Sequence, residues 1–351
     1  MKKTSAIDAR NRVLVALSGG VDSSTAAALL IEAGYEVEGA IMVFEGIEKE
    51  NVDLASRVAA HLCIPLHRVD VAEEFNETIV RYFVSEYERG RTPNPCVLCN
   101  ATMKFKLLPD KTPATTDKLA TGHYARVEND RGRYVLKKGR ERNEQSYFLH
   151  RLDQDQLSRT LLPLGKYTKD EVRKMARLRG LPTASRKKSQ DACFIPDGDY
   201  AGFLRRILPV RPGPIINREG KVIGEHKGIF HYTIGQRHGI GISHKHPYYI
   251  TRIDIDDNSI HVGARRDVFK RRLIATDLHF IPFDILEKRL SVDAKVRYFS
   301  RPGKVIVEPL DHGRARITFK KAQWAITPGQ SIVLYRGDLV IGGGIIDRTV
   351  D

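Results

Sequence analysis

The chain has 351 residues, of which 41% are hydrophobic and 29% charged. That is enough for two or three domains with substantial cores, and it rules out a disordered or fibrous chain. No apolar run approaches the roughly 20 residues of a membrane span, and the first one, residues 13–17, is too short for a signal peptide. A cytoplasmic, monomeric protein is expected, with no membrane partner. The formal charge of +15 favours a polyanionic partner, because each Lys or Arg placed on a phosphate releases counterions. Nucleic acid is the expected polyanion, and a generically basic surface is the plain alternative.

The first predicted elements alternate. "RVLVALSGG" reads as a buried strand running into a glycine turn, and "VDSSTAAALLIEAG" as a helix closed by Gly34. "EVEGAIMVF" is the next strand, "VDLASRVAAHLC" the next helix, and "PLHRVDV" a third strand. A helix follows over about residues 73–89, and "KLATGHYARV" reads as a fourth strand. Such alternation predicts parallel βαβ units. "QSYFLHRLDQDQLSRTLLPL" and "TKDEVRKMARLRG" supply further helix, the second opening on a Thr168–Glu171 capping box. From about residue 209 helical periodicity vanishes. Short Val/Ile/Tyr-rich runs then alternate with turn residues, as in hairpins. The predicted division is 1–208 as an α/β domain, 209–271 as a small β domain and 272–351 as a β-barrel.

Three stretches carry chemistry. "LSGGVDSST" (residues 17–25) joins a strand to a helix, and its paired glycines let several backbone N–H groups face one anion at the helix N-terminus. It lacks the Gly-Lys-Ser/Thr of the Walker loop and the Gly-x-Gly-x-x-Gly of dinucleotide folds. "TPNPCVLCN" (residues 92–100) holds Cys96 and Cys99 behind two prolines that argue against a helix starting there. Cys193 lies in "SQDACFIP". A Cys-x-x-Cys is open to metal, redox or thiol chemistry. A structural zinc site needs four ligands and a second such pair is missing, but three thiolates suit a cuboidal iron–sulfur cluster with one open iron. The fourth cysteine, Cys63 in "AAHLCIPLH", is expected to be plain core.

The first stretch resembles the pyrophosphate loop of the N-type ATP pyrophosphatases (the PP-loop superfamily). "GRTPNPCVLCNATMKF", "ATGHYAR", "QSYFL", "SQDACFIP", "HYTIGQRHGIGI" and "TPGQSIVLY" occur in this order. Together they resemble the bacterial tRNA-specific 2-thiouridylase (MnmA) family over residues 12–347. The resemblance implies an α/β catalytic domain with a parallel sheet of the adenine nucleotide alpha hydrolase type, followed by two small β domains. It implies ATP and Mg2+ as cofactors, the anticodon loop of tRNAs for Lys, Glu and Gln as substrate, and a cysteine desulfurase or sulfur-relay protein as persulfide donor. Carried over by motif, Cys99 is the nucleophile and Cys193 the persulfide carrier. Ala16, Leu17, Ser18, Gly19, Gly20, Val21, Asp22 and Ser23, with Met42 and Gly122, bind ATP, and Asp22 helps hold magnesium. Asn94, Pro95 and Cys96 meet the target base. His123, Asn143, Glu144, Gln145, Arg297, Tyr298 and Gln330 meet tRNA.

Two departures stand out. Cys96 replaces the family's usual aspartate, which keeps open a [4Fe-4S] cluster on Cys96, Cys99 and Cys193, and Glu144 stands for the usual Asp. The basic neighbours Lys104 and residues 186–188 are expected to lower the cysteine pKa values, and "RKMARLRG" and "SRKKS" to contact phosphate. An amide-forming ATP pyrophosphatase and a non-catalytic tRNA-binding protein are the rival readings.

Overall fold

A computed structural model describes residues 11–114, 116–186, 192–195, 198–243 and 245–350. Residues 187–191 and 196, which carry part of "SRKKS" and of "SQDACFIP", lie outside them. The chain divides into two compact units. One comprises Met1–Asn76, Cys96–Pro196 and Asp338–Val340, the other Glu77–Pro95, Asp197–Gly337 and Ile341–Asp351. No helix among the described residues is long and apolar enough to cross a membrane.

The first unit begins with β1 (Arg12–Ala16), α1 (Val21–Glu32), β2 (Glu36–Val43), α2 (Lys49–His61) and β3 (Leu66–Asp70). A helix from α3 (Ala72–Phe75) continues through a π-helical stretch at Asn76–Val80 into α4 (Arg81–Glu88). A second such helix runs from α5 (Pro95–Cys99) through π-helix at Asn100–Leu107 into α6 (Leu108–Lys111). It starts at Pro95, so the expectation that the prolines bar a helix is wrong. Proline suits a first helical position because its fixed φ is already helical and the N–H it lacks has no intrahelical partner there.

Next come β4 (Lys118–Ala120), β5 (Ala125–Asp130), β6 (Arg133–Lys138), α7 (Gln154–Arg159), β7 (Thr160–Leu161) and α8 (Lys169–Leu178). Five strands form one parallel sheet in the order β3-β2-β1-β4-β7. Val13, Leu14 and Val15 are all fully buried, as expected of a strand covered on both faces. The string read as one strand, "KLATGHYARV", splits instead. β4 ends at Ala120, and β5 leaves to pair antiparallel with β6. The run read as helix before Leu164 likewise contains the short strand β7, paired with β4. Cys63 is also a correction. It is exposed, with φ +53, in the left-handed position that closes α2.

In the second unit, α9 (Tyr200–Arg205) packs its aromatics on α4, with ring centroids 5.7 Å apart for Tyr87–Tyr200 and 6.2 Å for Phe83–Phe203. A four-stranded sheet of β8 (Gly213–Ile216), β9 (Val222–His226), β10 (Tyr249–Asp254) and β11 (Ser259–Gly263) has the order β10-β11-β8-β9. Ile215, Ile250 and Ile260 are fully buried in it. Then follow β12 (Phe269–Phe280), β13 (Leu290–Lys295), β14 (Gly303–Leu310), β15 (Arg314–Trp324), β16 (Ser331–Arg336) and β17 (Leu339–Val350). These six form an antiparallel barrel, closed by the pairing of β12 with β17. Its interior holds Leu273, Val307, Ile317, Phe319 and Leu334, each fully buried.

The Thr168–Glu171 capping box is present, with Thr168 Oγ1 accepting from Glu171 N at 3.3 Å and Glu171 accepting from Thr168 N at 2.7 Å. Thr168→Ala leaves an N-terminal donor of α8 unpaired and is expected to cost about 1 kcal/mol of stability, measurable by urea denaturation.

Candidate active site

In a parallel sheet the ligand crevice lies beyond the strand C-termini, where the strand order reverses. Here that point falls between β1 and β4. β1 delivers the loop of residues 17–20, and β4 delivers Gly122. The two backbones touch, since a Cβ on Gly122 would meet Ser23 N at 2.6 Å and Asp22 C at 2.7 Å. Gly19 has φ +67, and a Cβ there would meet Asn51 O at 2.4 Å. Both positions therefore need glycine, and the loop packs against its neighbours without side chains in between. Met42, half-buried, stands near the C-terminal end of β2, beside β1.

α1 begins after Gly20 with no side-chain cap, so its first N–H groups face the loop. Ser23 Oγ accepts from Ser18 N at 3.1 Å, and Ser24 Oγ donates to Gly20 O at 2.8 Å. Three residues that the sequence reading did not place here complete the loop. Lys169, at the start of α8, reaches both carboxylate oxygens of Asp22 at 2.6 Å. Tyr124 donates its hydroxyl to Asp22 at 2.7 Å, and burial with the nearby Asp22 charge pushes its pKa up. Arg186 donates to Gly19 O at 2.6 Å and also bonds Asn51. Arg186 was expected to act on the cysteines, but it secures the phosphate loop. The only sequence signal for Lys169 was its place after the capping residue, where a lysine on helix grounds is unremarkable.

Cys96 and Cys99, three apart on α5, lie on one face of the helix. Cys99 is half-buried, while Cys96 and Cys193 reach solvent, and all are free thiols. Cys193 and Cys96 are both near enough to Cys99 to oppose its ionisation. Two segments far apart in sequence are thus near enough within one unit to act on each other electrostatically. Desolvation by the surrounding protein outweighs Lys104, the one cation among the described residues that acts on these sulfurs. Cys99 is pushed up to about 12 and Cys193 to about 11, and Cys96 is also raised. The lowering expected from Lys104 is therefore corrected, since it pulls in the predicted direction but burial wins; residues 187 and 188 of that expectation lie outside the described residues. The same surroundings hold His123 well below its usual value, first by desolvation and then by Lys104. His123 is neutral, with Nδ1 2.8 Å from Thr121 Oγ1.

Lys104 reaches this pocket because of the π-helix. A residue five places on lies about 140° round an α-helix but only about 50° round the wider π winding. Lys104 therefore shares a face with Cys99, and its ammonium donates to Asn100 Oδ1 at 3.1 Å. Buried Asn100 is fixed in turn by Phe148 O at 3.2 Å.

The remaining expected residues are placed as follows. Glu144 is buried and accepts from Ser146 N at 2.7 Å. Gln145 Oε1 accepts from Tyr124 N at 3.0 Å, holding the loop after β4. Asn143 is exposed. In the second unit, Asn94 is half-buried and Pro95 buried. Arg297 donates to Ile234 O at 2.9 Å and also bonds Thr327, and Tyr298 lies under Lys295 at 5.3 Å. Gln330 Nε2 donates to Thr92 O at 2.8 Å and Pro93 O at 3.2 Å, so it clamps the segment entering α5.

A five-stranded parallel sheet with a glycine anion loop at its switch point defines an adenine-nucleotide-binding α/β enzyme of the HUP class. The family described as tRNA methyl transferase HUP domain matches residues 11–197, its PRC-barrel domain residues 201–264, and the aminomethyltransferase beta-barrel domain residues 270–346. The tRNA-specific 2-thiouridylase MnmA 1 of Clostridium botulinum (strain Loch Maree / Type A3) is 44% identical over 355 residues, covering 97% of this chain and 100% of that one. The MnmA of a Clostridium perfringens strain is 42% identical, covering 96% and 99%. The chain belongs to the tRNA-specific 2-thiouridylase MnmA family. Among solved structures, the U34-tRNA thiolase NcsA from Methanococcus maripaludis with its [4Fe-4S] cluster matches at 20% identity and a TM-score of 0.36, over 52% of this chain and 62% of that one. That likeness is too slight to carry an argument about this chain. Among the described residues no three His, Cys, Asp or Glu side chains are grouped to hold a metal ion, and the iron–sulfur alternative is not favoured.

Two outcomes test this geometry. Alkylation of Cys99 by iodoacetamide, followed by mass spectrometry, is expected to rise about tenfold per pH unit from pH 7 to 10 without a plateau, because the thiolate remains the minor form throughout. Lys104→Met slows it further, and Lys104→Arg restores it. Gln330→Ala removes two hydrogen bonds at about 0.5–1.5 kcal/mol each and is expected to speed amide hydrogen exchange at Thr92 and Asn94.

Proposed function

We propose that this protein is the ATP-dependent enzyme that replaces the 2-oxygen of the wobble uridine of tRNA with sulfur, a tRNA-uridine 2-sulfurtransferase. ATP lies along the loop of residues 16–23, with Met42 and Gly122 flanking the adenine. Asp22 would hold Mg2+, since a single carboxylate beside phosphates is a usual magnesium arrangement; when bound, the ion neutralises charge on the leaving pyrophosphate. Lys169 is then free to pair with phosphate. The uracil O2 attacks the α-phosphorus, the α–β P–O bond breaks, and pyrophosphate departs.

The terminal sulfur of a Cys193 persulfide next attacks C2, forming C–S as C2–O breaks and AMP leaves. Cys99, as thiolate, attacks Cys193 Sγ. The S–S electron pair passes to the sulfur now on the base, and a Cys99–Cys193 disulfide remains for a cellular thiol to reduce. Neutral His123 and Lys104 line this pocket, and binding of the base must favour the thiolate that the recess otherwise disfavours. The single observation that carries the reading is the proximity of Cys99 and Cys193 within the unit that holds the nucleotide loop.

Asn94, Pro95 and Cys96 would receive the uracil, pulled out of its stack so that O2 can meet ATP. Asn143, Glu144, Gln145, Arg297, Tyr298 and Gln330 are proposed as the tRNA-contact set. Glu144, Gln145, Arg297 and Gln330 would act through the backbone segments they hold. The enzyme would work in the cytoplasm as a monomer, on tRNAs for Lys, Glu and Gln, with a cysteine desulfurase or relay protein supplying persulfide. Its functional domains are residues 1–208, 209–271 and 272–351.

The test supplies purified protein with ATP, a sulfur donor and unmodified tRNA, and measures 2-thiouridine by nucleoside mass spectrometry. Cys99→Ser and Cys193→Ser are each expected to lose thiolation by at least about a hundredfold, and Cys99→Ser alone still accepts persulfide on Cys193. Retained thiolation in either variant overturns the mechanism.

A further inference from the structure

The outer wall of the barrel carries a charge arrangement that the proposed reaction does not use. Two adjoining recesses of about 550 and 650 Å³ share Arg272, Arg316 and Val350. Their lining adds Lys270, Arg271, Arg314 and Arg348 against only two carboxylates, Glu308 and Asp311. Glu308 is already paired with Arg289.

Strand register explains the clustering. Ile274 of β12 faces Arg316 of β15 on one side and Arg348 of β17 on the other. An irregularity in the β12–β17 ladder lies just past this pair, between Ile274 and Ala275. Cross-strand partners project to the same side of a sheet, so Arg316 and Arg348 flank Ile274 in one row. Arg272, two residues earlier and about 7 Å along the strand, heads the next row between Thr318 and Val350. Arg271, Arg272, Arg316 and Arg348 are exposed. Arg348 pairs with Asp347 at 2.5 Å. Among the described residues the side chains of Arg272 and Arg316 have neither an ion pair nor a hydrogen bond.

Like charges on neighbouring strands repel; Glu308 faces Arg316 from β14 but is paired with Arg289, and Asp347 pairs Arg348, so Arg272 and Arg316 keep their charge uncompensated by an ion pair among the described residues. Guanidinium groups on a rigid sheet match phosphate oxygens in pairs. The face offers no free aromatic ring for base stacking, because Phe269 is packed edge-on to Trp324, with centroids 5.2 Å apart. We propose that this arginine face binds the phosphodiester backbone of RNA, independently of sequence. The inference rests on the proposed tRNA substrate and adds a contact surface that none of the residues above provides.

The experiment measures tRNA binding by full-length protein by filter retention between 50 and 300 mM KCl, alongside thiolation at saturating tRNA. Arg272→Gln/Arg316→Gln is expected to weaken binding at 100 mM KCl by at least about tenfold. It should also flatten the slope of log affinity against log salt by about 1.4–1.8, the loss of two phosphate contacts. The saturated thiolation rate should stay unchanged. Arg272→Lys/Arg316→Lys, which keeps the charge, is expected to hold the parental slope, so a folding defect cannot imitate the result. Parental affinity and slope in the Gln variant overturn the proposal. So does unchanged tRNA affinity with impaired sulfur delivery, which would assign the face to an acidic protein. If the parent protein itself neither binds nor thiolates tRNA, the functional reading fails instead.

Discussion

The nucleotide site depends on one close approach, the backbone of Gly122 against that of Asp22 and Ser23. It joins the ends of β1 and β4 at the place where the sheet reverses order. No side chain fits between them, so the loop and the start of α1 are held by van der Waals contact from one side. Arg186 on Gly19 O and Ser24 on Gly20 O hold the other side. An anion at this place meets donors already oriented, and little ordering remains to oppose binding.

Electrostatics then separate two neighbouring chemistries within the same unit. At the loop, positive groups are abundant: the α1 N-terminus, Lys169 and Arg186. Lys169 is neutralised locally by Asp22, a pairing that can be exchanged for phosphate and metal. At the cysteines, Lys104 is the one cation among the described residues that acts on three sulfurs and a histidine, and desolvation dominates. Thiols held above their ordinary pKa resist stray oxidation and alkylation, because the thiolate is the reactive form. The recess thus favours a protected nucleophile that ionises only when its surroundings change.

The second unit contributes differently. Arg297 and Gln330 are expected from the family motifs to meet tRNA. Within the protein their side chains also bond carbonyls and a hydroxyl of the same unit. Gln330 holds the chain just before α5, which carries Cys96 and Cys99. The barrel face with Arg272 and Arg316 was invisible in the sequence for the opposite reason. Lys270, Arg271 and Arg272 form a short cationic run, but Arg314, Arg316 and Arg348 come from two other strands, and only the strand register brings them together.

The sequence by itself determined whatever depends on contiguous residues. The glycine loop, the βαβ alternation, the Thr168 cap and the switch to hairpins near residue 209 are all local patterns, and local sterics and periodicity decide them. It also carried the order of motifs by which the family was recognised. Tertiary structure alone decided the rest. The division of residues 118–127 between two sheets depends on which partner strand is at hand. Lys169 on Asp22 and Arg186 on Gly19 require chain segments far apart in sequence to meet. The raised thiol pKa values depend on how much protein surrounds the sulfurs, and desolvation is a property of the folded surroundings that no run of neighbouring residues encodes.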